Sequence, residues 1–207
     1  MYYTQNNEEQ IFIDYFKNQN QSDLCILDIG ANDGKTFSNS LKLIELGWSA
    51  VLIEPSPKAF TRLSELHSNN KKVNCFSVAI SNTNGKVTLR ESSALINQND
   101  VALVSSLIQE ETVKWMDANV RFESVEVLSM DFKTFYETCP IKKFDLISID
   151  IEGFDYEVLS QINLELVGCK CLCVEFNGKN KENFVNYVSQ FGLKLISENP
   201  ENLIFTK

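Results

Sequence analysis

The chain has 207 residues, 43% of them hydrophobic, and its 28 acidic against 19 basic side chains leave a formal net charge of −9. That length supports one α/β core, and the acidic balance argues against nucleic acid and anionic lipid while leaving neutral or cationic small molecules open. No run reaches the roughly 18–20 apolar residues of a membrane span, and the polar start MYYTQNNEEQ lacks the basic and apolar regions of a secretory leader.

Ile11, Phe12, Tyr15 and Phe16 form one apolar stripe and predict an N-terminal helix within residues 1–22. LCILDI is a continuous apolar run, as expected of a central parallel strand covered on both faces. KTFSNSLKLIELG has helical period and ends on Gly47. AVLIE reads as a second strand, SPKAFTRLSELHSN as a helix with Pro57 in its first turn, and VNCFSVAI as a third strand. SNTNGKVTLRES then carries an Asn-Gly turn followed by alternation, which predicts an added hairpin strand. Residues from about 92 to 122 are polar and irregular, with a short helix around QEETVKWMD, and form an insert on the acceptor side.

Alternation resumes with SVEVLSM as strand, DFKTFYETC as a helix capped by Asp131, and FDLISIDI as strand. DYEVLSQI is a helix, CKCLCVEF a strand and KENFVNYVSQFG a helix closed by Gly192. LKLISENPENLIFTK makes two strands around an Asn-Pro turn. The expectation is a single α/β domain over 1–207. Its sheet is doubly wound and Rossmann-like, mostly parallel and seven-stranded, with an antiparallel C-terminal pair and the added hairpin strand.

In such sheets ligands sit beyond the carboxyl ends of the strands. The first strand ends in Asp28-Ile29-Gly30-Ala31-Asn32-Asp33-Gly34. Two glycines permit a tight turn, but Asn32 replaces the middle glycine of a dinucleotide loop. Asp28 and Asp33 suit an ammonium or sulfonium and oppose a pyrophosphate. The second strand ends in Glu54, followed by Pro55 and Ser56; an acid there accepts hydrogen bonds from both ribose hydroxyls and repels a 2′-phosphate. The third strand, near Cys75 to Ala79, would line an adenine. Asp150, Glu152 and Asp155 gather at the end of FDLISIDI, an arrangement that suits a general base or an oxygen-ligated divalent cation. With no histidine beside the acids and Asp155 at a helix start, the metal-free base is the expectation. The spacing of CKCLCV lays three sulfurs on one strand face, without the two-residue spacing that wraps zinc. All six cysteines read as buried apolar residues of a reducing cytoplasm.

LDIGANDG, VLIEPSP, SVAISNTNGKVTL, the SSL at Ser105 to Leu107, SIDIEGFDYEVL and CVEFN follow one another as they do in FkbM-type methyltransferases, which the chain resembles from about residue 24 onward. The resemblance implies a class I fold, S-adenosylmethionine as cofactor, and O-methylation of a hydroxyl on a sugar, glycan or related small molecule. It implies cofactor contacts at Asp28, Gly30, Asn32, Asp33, Glu54, Pro55, Ser56, Ala79, Ser106 and Asp150, with Asp150 as base and Glu152 beside it. Ser148 stands where many members carry lysine. His67 is expected at a solvated or capping position at its helix end. Trp115, Met116 and Arg121 either line the acceptor site or form a packing cluster over the sheet. Two rival readings stay open: an adenine-dinucleotide oxidoreductase or epimerase, and a member that binds the cofactor without turnover.

Overall fold

The structure is a computed structural model that describes residues 3–93, 101–116 and 120–207, without the side chains of Lys114 and Met116. In chain order the first half carries α1 (Glu8–Phe16), β1 (Cys25–Ile29), α2 (Leu41–Glu45), β2 (Ser49–Ile53), α3 (Pro57–His67), β3 (Val73–Phe76), β4 (Ala79–Ile80) and β5 (Gly85–Ser92). The second half carries α4 (Gln109–Met116), β6 (Phe122–Met130), α5 (Phe132–Thr138), β7 (Leu146–Ile149) and α6 (Asp155–Leu159). It ends with β8 (Cys171–Glu175), α7 (Lys181–Ser189), β9 (Lys194–Glu198) and β10 (Asn202–Thr206).

Seven strands form the main sheet in the order β3-β2-β1-β7-β8-β10-β9. The first five are mutually parallel, and β10 runs antiparallel to both β8 and β9. The chain winds outward from β1 to β3, then returns to place β7 beside β1. That reversal opens a crevice above the ends of β1 and β7, where this topology holds ligands. Every residue of β1, β7 and β8 is buried, as strands with covered faces require. On one face Phe135, Phe144, Val158 and Phe184 pack over the sheet, and on the other Phe12, Phe16 and Trp48. Phe16 meets Trp48 edge-on at 4.9 Å, and the indole Nε1 donates to Gln21 at 2.7 Å.

Several expectations resolve differently in detail. VNCFSVAI breaks after Phe76, so that β3 joins the main sheet and β4 a second sheet ordered β4-β6-β5. The Asn84-Gly85 turn therefore does not close a hairpin: β6 lies between β4 and β5 and pairs with the whole of β5 in antiparallel register. SVEVLSM lies in this second sheet as part of β6, which ladders along the whole of β5 and pairs with β4 at Ala79 and Ile80.

The helix expected over 35–47 shrinks to α2. Asp33 accepts the amides of Lys35 and Thr36, Ser38 Oγ accepts that of Leu41, and Phe37 takes φ +53°. Such side-chain bonds compete with the helical ladder. The three sulfurs of CKCLCV do not share a face. Cys169 precedes β8 in the turn after Gly168 and packs with Val167, while Cys171 and Cys173 pack on the Trp48 side. All six cysteines are free thiols. Among the described residues no helix is long and apolar enough to cross a membrane.

Helix α1 is tied to the far end of the chain through a buried carboxylate. Glu8, 1% exposed, accepts from the side-chain amides of Asn199 and Asn202 at 2.8 and 2.9 Å and from the Asn6 backbone at 2.9 Å. Burial alone raises its pKa, but these hydrogen bonds hold the carboxyl below its ordinary value.

Candidate functional site

Above the ends of β1, β2 and β7 lies a cavity of about 370 Å³, inside the range of roughly 300–1,000 Å³ typical of small-molecule sites. Its floor is the turn after β1. Gly30 has φ +94°, and a Cβ there would lie 1.8 Å from the carbonyl oxygen of Asp150. No side chain is compatible with that approach, so glycine is what lets the ends of β1 and β7 meet. The Gly30 and Ala31 amides donate to the Ile53 carbonyl, and the next amide, Asn32, donates to Glu54 Oε2 at 3.0 Å. Asn32 itself sits at φ +47°; its Nδ2 donates to the Val101 carbonyl at 2.9 Å, and its Oδ1 is buried with no hydrogen-bond partner.

Glu54 follows β2 and is 5% exposed. Two amides fix its carboxylate, Asn32 N–H on Oε2 and Ser56 N–H on Oε1 at 2.7 Å. Burial still pushes its pKa up to about 7, because two hydrogen bonds do not replace full hydration. Burial likewise lifts Asp28 to about 6, against hydrogen bonds from Ser40 and Ser148. Ser148 is fully buried; its hydroxyl joins Asp28 to Asn39, whose Nδ2 donates at 3.0 Å.

The far wall is the turn after β7. Asp155 is locked inside it, accepting from the Ile151 and Gly153 amides, both at 2.9 Å. That leaves Asp150 and Glu152 to line the cavity, with Glu152 at φ +54°. A third carboxylate comes from a different strand: Glu175 closes β8 and lines the same wall. Asp150, Glu152 and Glu175 each bring an oxygen within 4.8 Å of the others. Burial, then the neighbouring charges, pushes Asp150 and Glu175 well above the ordinary carboxylate range. Glu175 is absent from the residues singled out by sequence, although the strand-end rule reaches it: it ends β8 as Glu54 follows β2.

Asp28, Gly30, Asn32, Glu54, Pro55, Ala79, Asp150 and Glu152 thus meet on one cavity. The structure does not bring Asp33, Ser56 or Ser106 to its wall. Asp33 braces its own turn, with Thr36 Oγ1 donating to it at 2.9 Å. Ser56 caps α3 by accepting from Ala59 N and donates to buried Glu91 at 2.6 Å. Ser106 donates to the Glu152 carbonyl at 2.7 Å and so supports that turn from behind. Each hydroxyl or carboxylate is consumed locally, which residue type and order could not reveal.

Within the insert, Trp115 lines the cavity, Arg121 is exposed where β6 begins, and the Met116 side chain with residues 94–100 and 117–119 lies outside the described residues. His67 differs from expectation. It is 7% exposed, packed beneath the Gly34 turn, with its pKa lowered by burial.

The cavity wall carries six acids, Asp28, Glu54, Asp150, Glu152, Glu175 and Glu201, and no lysine, arginine or histidine among the described residues. Such a lining attracts cations and repels phosphates.

Residues 28–195 match the model of the methyltransferase FkbM domain. The 2-O-methyltransferase NoeI of Sinorhizobium fredii (strain NBRC 101917 / NGR234) is 30% identical over 143 residues, or 67% of this chain. The chain spans 57% of the length of that curated relative. Among solved structures, monomeric WbdD aligns with a TM-score of 0.52 at 13% identity, over 98% of this chain and 41% of that one. A methyltransferase from Geobacter sulfurreducens also gives 0.52, at 9% identity, over 99% and 80%. At these identities the likeness establishes the class I, Rossmann-like methyltransferase fold. With the family model running from Asp28 at the cavity floor to Leu195 in the antiparallel pair, the chain belongs to the methyltransferase FkbM domain family.

Proposed function

We propose that this protein is an S-adenosylmethionine-dependent O-methyltransferase acting on a hydroxyl of a sugar, glycan or related small molecule. The observation that carries the reading is Glu54: a buried carboxylate, oriented by two backbone amides, on a cavity wall without a basic residue among those described. It is suited to the two ribose hydroxyls of an unphosphorylated adenosine. The same wall opposes the pyrophosphate of a dinucleotide, which speaks against the oxidoreductase reading. The family and the 30% identity to a protein named a 2-O-methyltransferase support the hydroxyl acceptor.

Asn32 fits the amino-acid end of the cofactor, since its partnerless Oδ1 can accept from an ammonium, and Asp28 adds negative charge nearby. Val78, Ala79 and Ile80 offer an apolar strip to an adenine. S-adenosylmethionine supplies the methyl group: a C–O bond forms as the C–S bond breaks, and the electron pair stays on sulfur. The wall residues hold the acceptor in line, which can supply much of the rate. Asp150, with Glu152 beside it, takes up the hydroxyl proton. We place the reaction in the cytoplasm, where the six thiols stay reduced.

Calorimetry against S-adenosylmethionine and NAD, followed by release of S-adenosylhomocysteine over a panel of sugar acceptors, tests the reading. Binding of the sulfonium but not of NAD is expected. With the best acceptor, Asp150→Asn should lower turnover by about a hundredfold or more and leave cofactor affinity nearly unchanged. Tighter binding of NAD, or full activity of Asp150→Asn, overturns it.

A further inference from the structure

Asp150 and Glu152 come from one turn, whereas Glu175 arrives from the end of β8, so the three carboxylates converge from separate elements. Acids that merely favour a helix start would point apart into water. Asp155 does serve the turn, and both of its oxygens are spent on backbone amides. Glu175 is not spent in that way. The residue is 6% exposed, and its Oε2 is buried with no hydrogen-bond partner. A buried carboxylate oxygen without a donor is unfavourable unless something positive completes it. Here no lysine, arginine or histidine lines the cavity among the described residues. No described side chain supplies that partner, and the cavity gives a bound cation access to it.

We propose that Asp150, Glu152 and Glu175 form a binding site for one divalent cation of the magnesium or manganese class. Oxygen-only ligands from carboxylates suit these hard ions, and the absence of cysteine and histidine from the cluster disfavours zinc. Three oxygens within 4.8 Å of one another leave the other coordination positions for water or for oxygens of an acceptor in the cavity. The site rests on the proposed methyltransferase reading for its purpose: a cation there would bind vicinal hydroxyls of the acceptor and favour loss of the proton from one of them. Asp150 then offers one oxygen to the ion and takes up the hydroxyl proton on the other, so the base proposed above works with the ion's help and not without it.

The test is binding of the metal alone. Chelator-stripped protein is titrated with manganese chloride while the paramagnetic resonance signal of the free ion is recorded, and magnesium is then added as competitor. One saturable ion per chain is expected, displaced by magnesium. Glu175→Gln, which keeps the shape of the side chain, should weaken manganese at least about tenfold. Its circular dichroism and its affinity for S-adenosylhomocysteine should stay at wild-type values. Should that variant fail to fold, Glu152→Gln at the half-buried position carries the same comparison. No saturable binding, or wild-type affinity in both variants, overturns the site. Methyl transfer that persists in chelator overturns the cation's role while leaving the methyltransferase reading standing. Manganese binding in a protein that ignores S-adenosylmethionine does the reverse.

Discussion

Gly30 and Asp150 are in contact across the ends of two parallel strands: a Cβ on the glycine would stand 1.8 Å from the Asp150 carbonyl oxygen. The cavity floor and the carboxylate wall are therefore one mechanical unit. Gly30→Ala must push β1 and β7 apart or abandon φ +94°. A loss of roughly 3 kcal/mol or more is expected, as for a steric and backbone defect combined. Denaturant unfolding checks it, and calorimetry on any folded fraction should show S-adenosylmethionine binding abolished. Wild-type stability would mean that the strand ends can separate freely.

Glu54 predicts a pH dependence of cofactor affinity. Its carboxyl titrates at about 7 in the free protein, and ribose hydroxyls bind the ionised form. Affinity should therefore be flat above pH 7 and fall below it, by up to about tenfold per unit. Asp28, at about 6, adds to the fall further down. Glu54→Gln should weaken binding at pH 8 and flatten the profile. For the unliganded fold the sign is opposite. A raised carboxyl pKa contributes stability at low pH, and that contribution fades as pH rises from about 4.5 to about 7. Calorimetry across pH 5.5–8.5 settles the matter, and an unchanged slope in the variant would remove Glu54 from the site.

Asn32→Gly tests the partnerless amide oxygen. The substitution keeps the left-handed backbone and the amide that braces Glu54 while deleting the side chain. Loss of a hydrogen bond to a charged ammonium is worth roughly 1.5–3 kcal/mol, so the dissociation constant for S-adenosylmethionine should rise about ten- to hundredfold. Binding of 5′-methylthioadenosine, which lacks the amino-acid end, should change little. Equal losses for both ligands would place the side chain elsewhere.

Glu8→Ala should destabilise the fold without touching the chemistry. It strips the amides of Asn199 and Asn202 of a buried acceptor, at a cost of roughly 1–3 kcal/mol. That corresponds to several degrees in melting temperature for a chain of this size. Because the carboxyl is held below its ordinary value, its stabilisation is present above about pH 4.5 and lost as pH falls. The melting difference from wild type should therefore be larger at pH 7 than at pH 3.5.

Periodicity and strand ends made much of this protein legible from its residues. LCILDI, AVLIE and FDLISIDI announce buried parallel strands because apolar runs of that length have nowhere else to go. The acids at their ends mark the ligand crevice because a doubly wound sheet places those ends together. Asp28, Glu54 and Asp150 were visible for that reason, and so was the acidic character of the cavity wall.

What the tertiary structure decided is how each polar group is spent. Asp33, Ser56 and Ser106 look like ligand residues in sequence, yet each is consumed by nearby amides or by a neighbouring turn. Glu175 looks like an ordinary strand end, yet it faces Asp150 with an oxygen that no donor reaches. The second sheet is likewise a tertiary choice, since β5 takes its partner from a strand beyond the insert and not from its neighbour. Local pattern reports what a residue can do. Which hydrogen bonds it has left to offer depends on groups brought in from distant parts of the chain, and that pairing is fixed when the strands assemble.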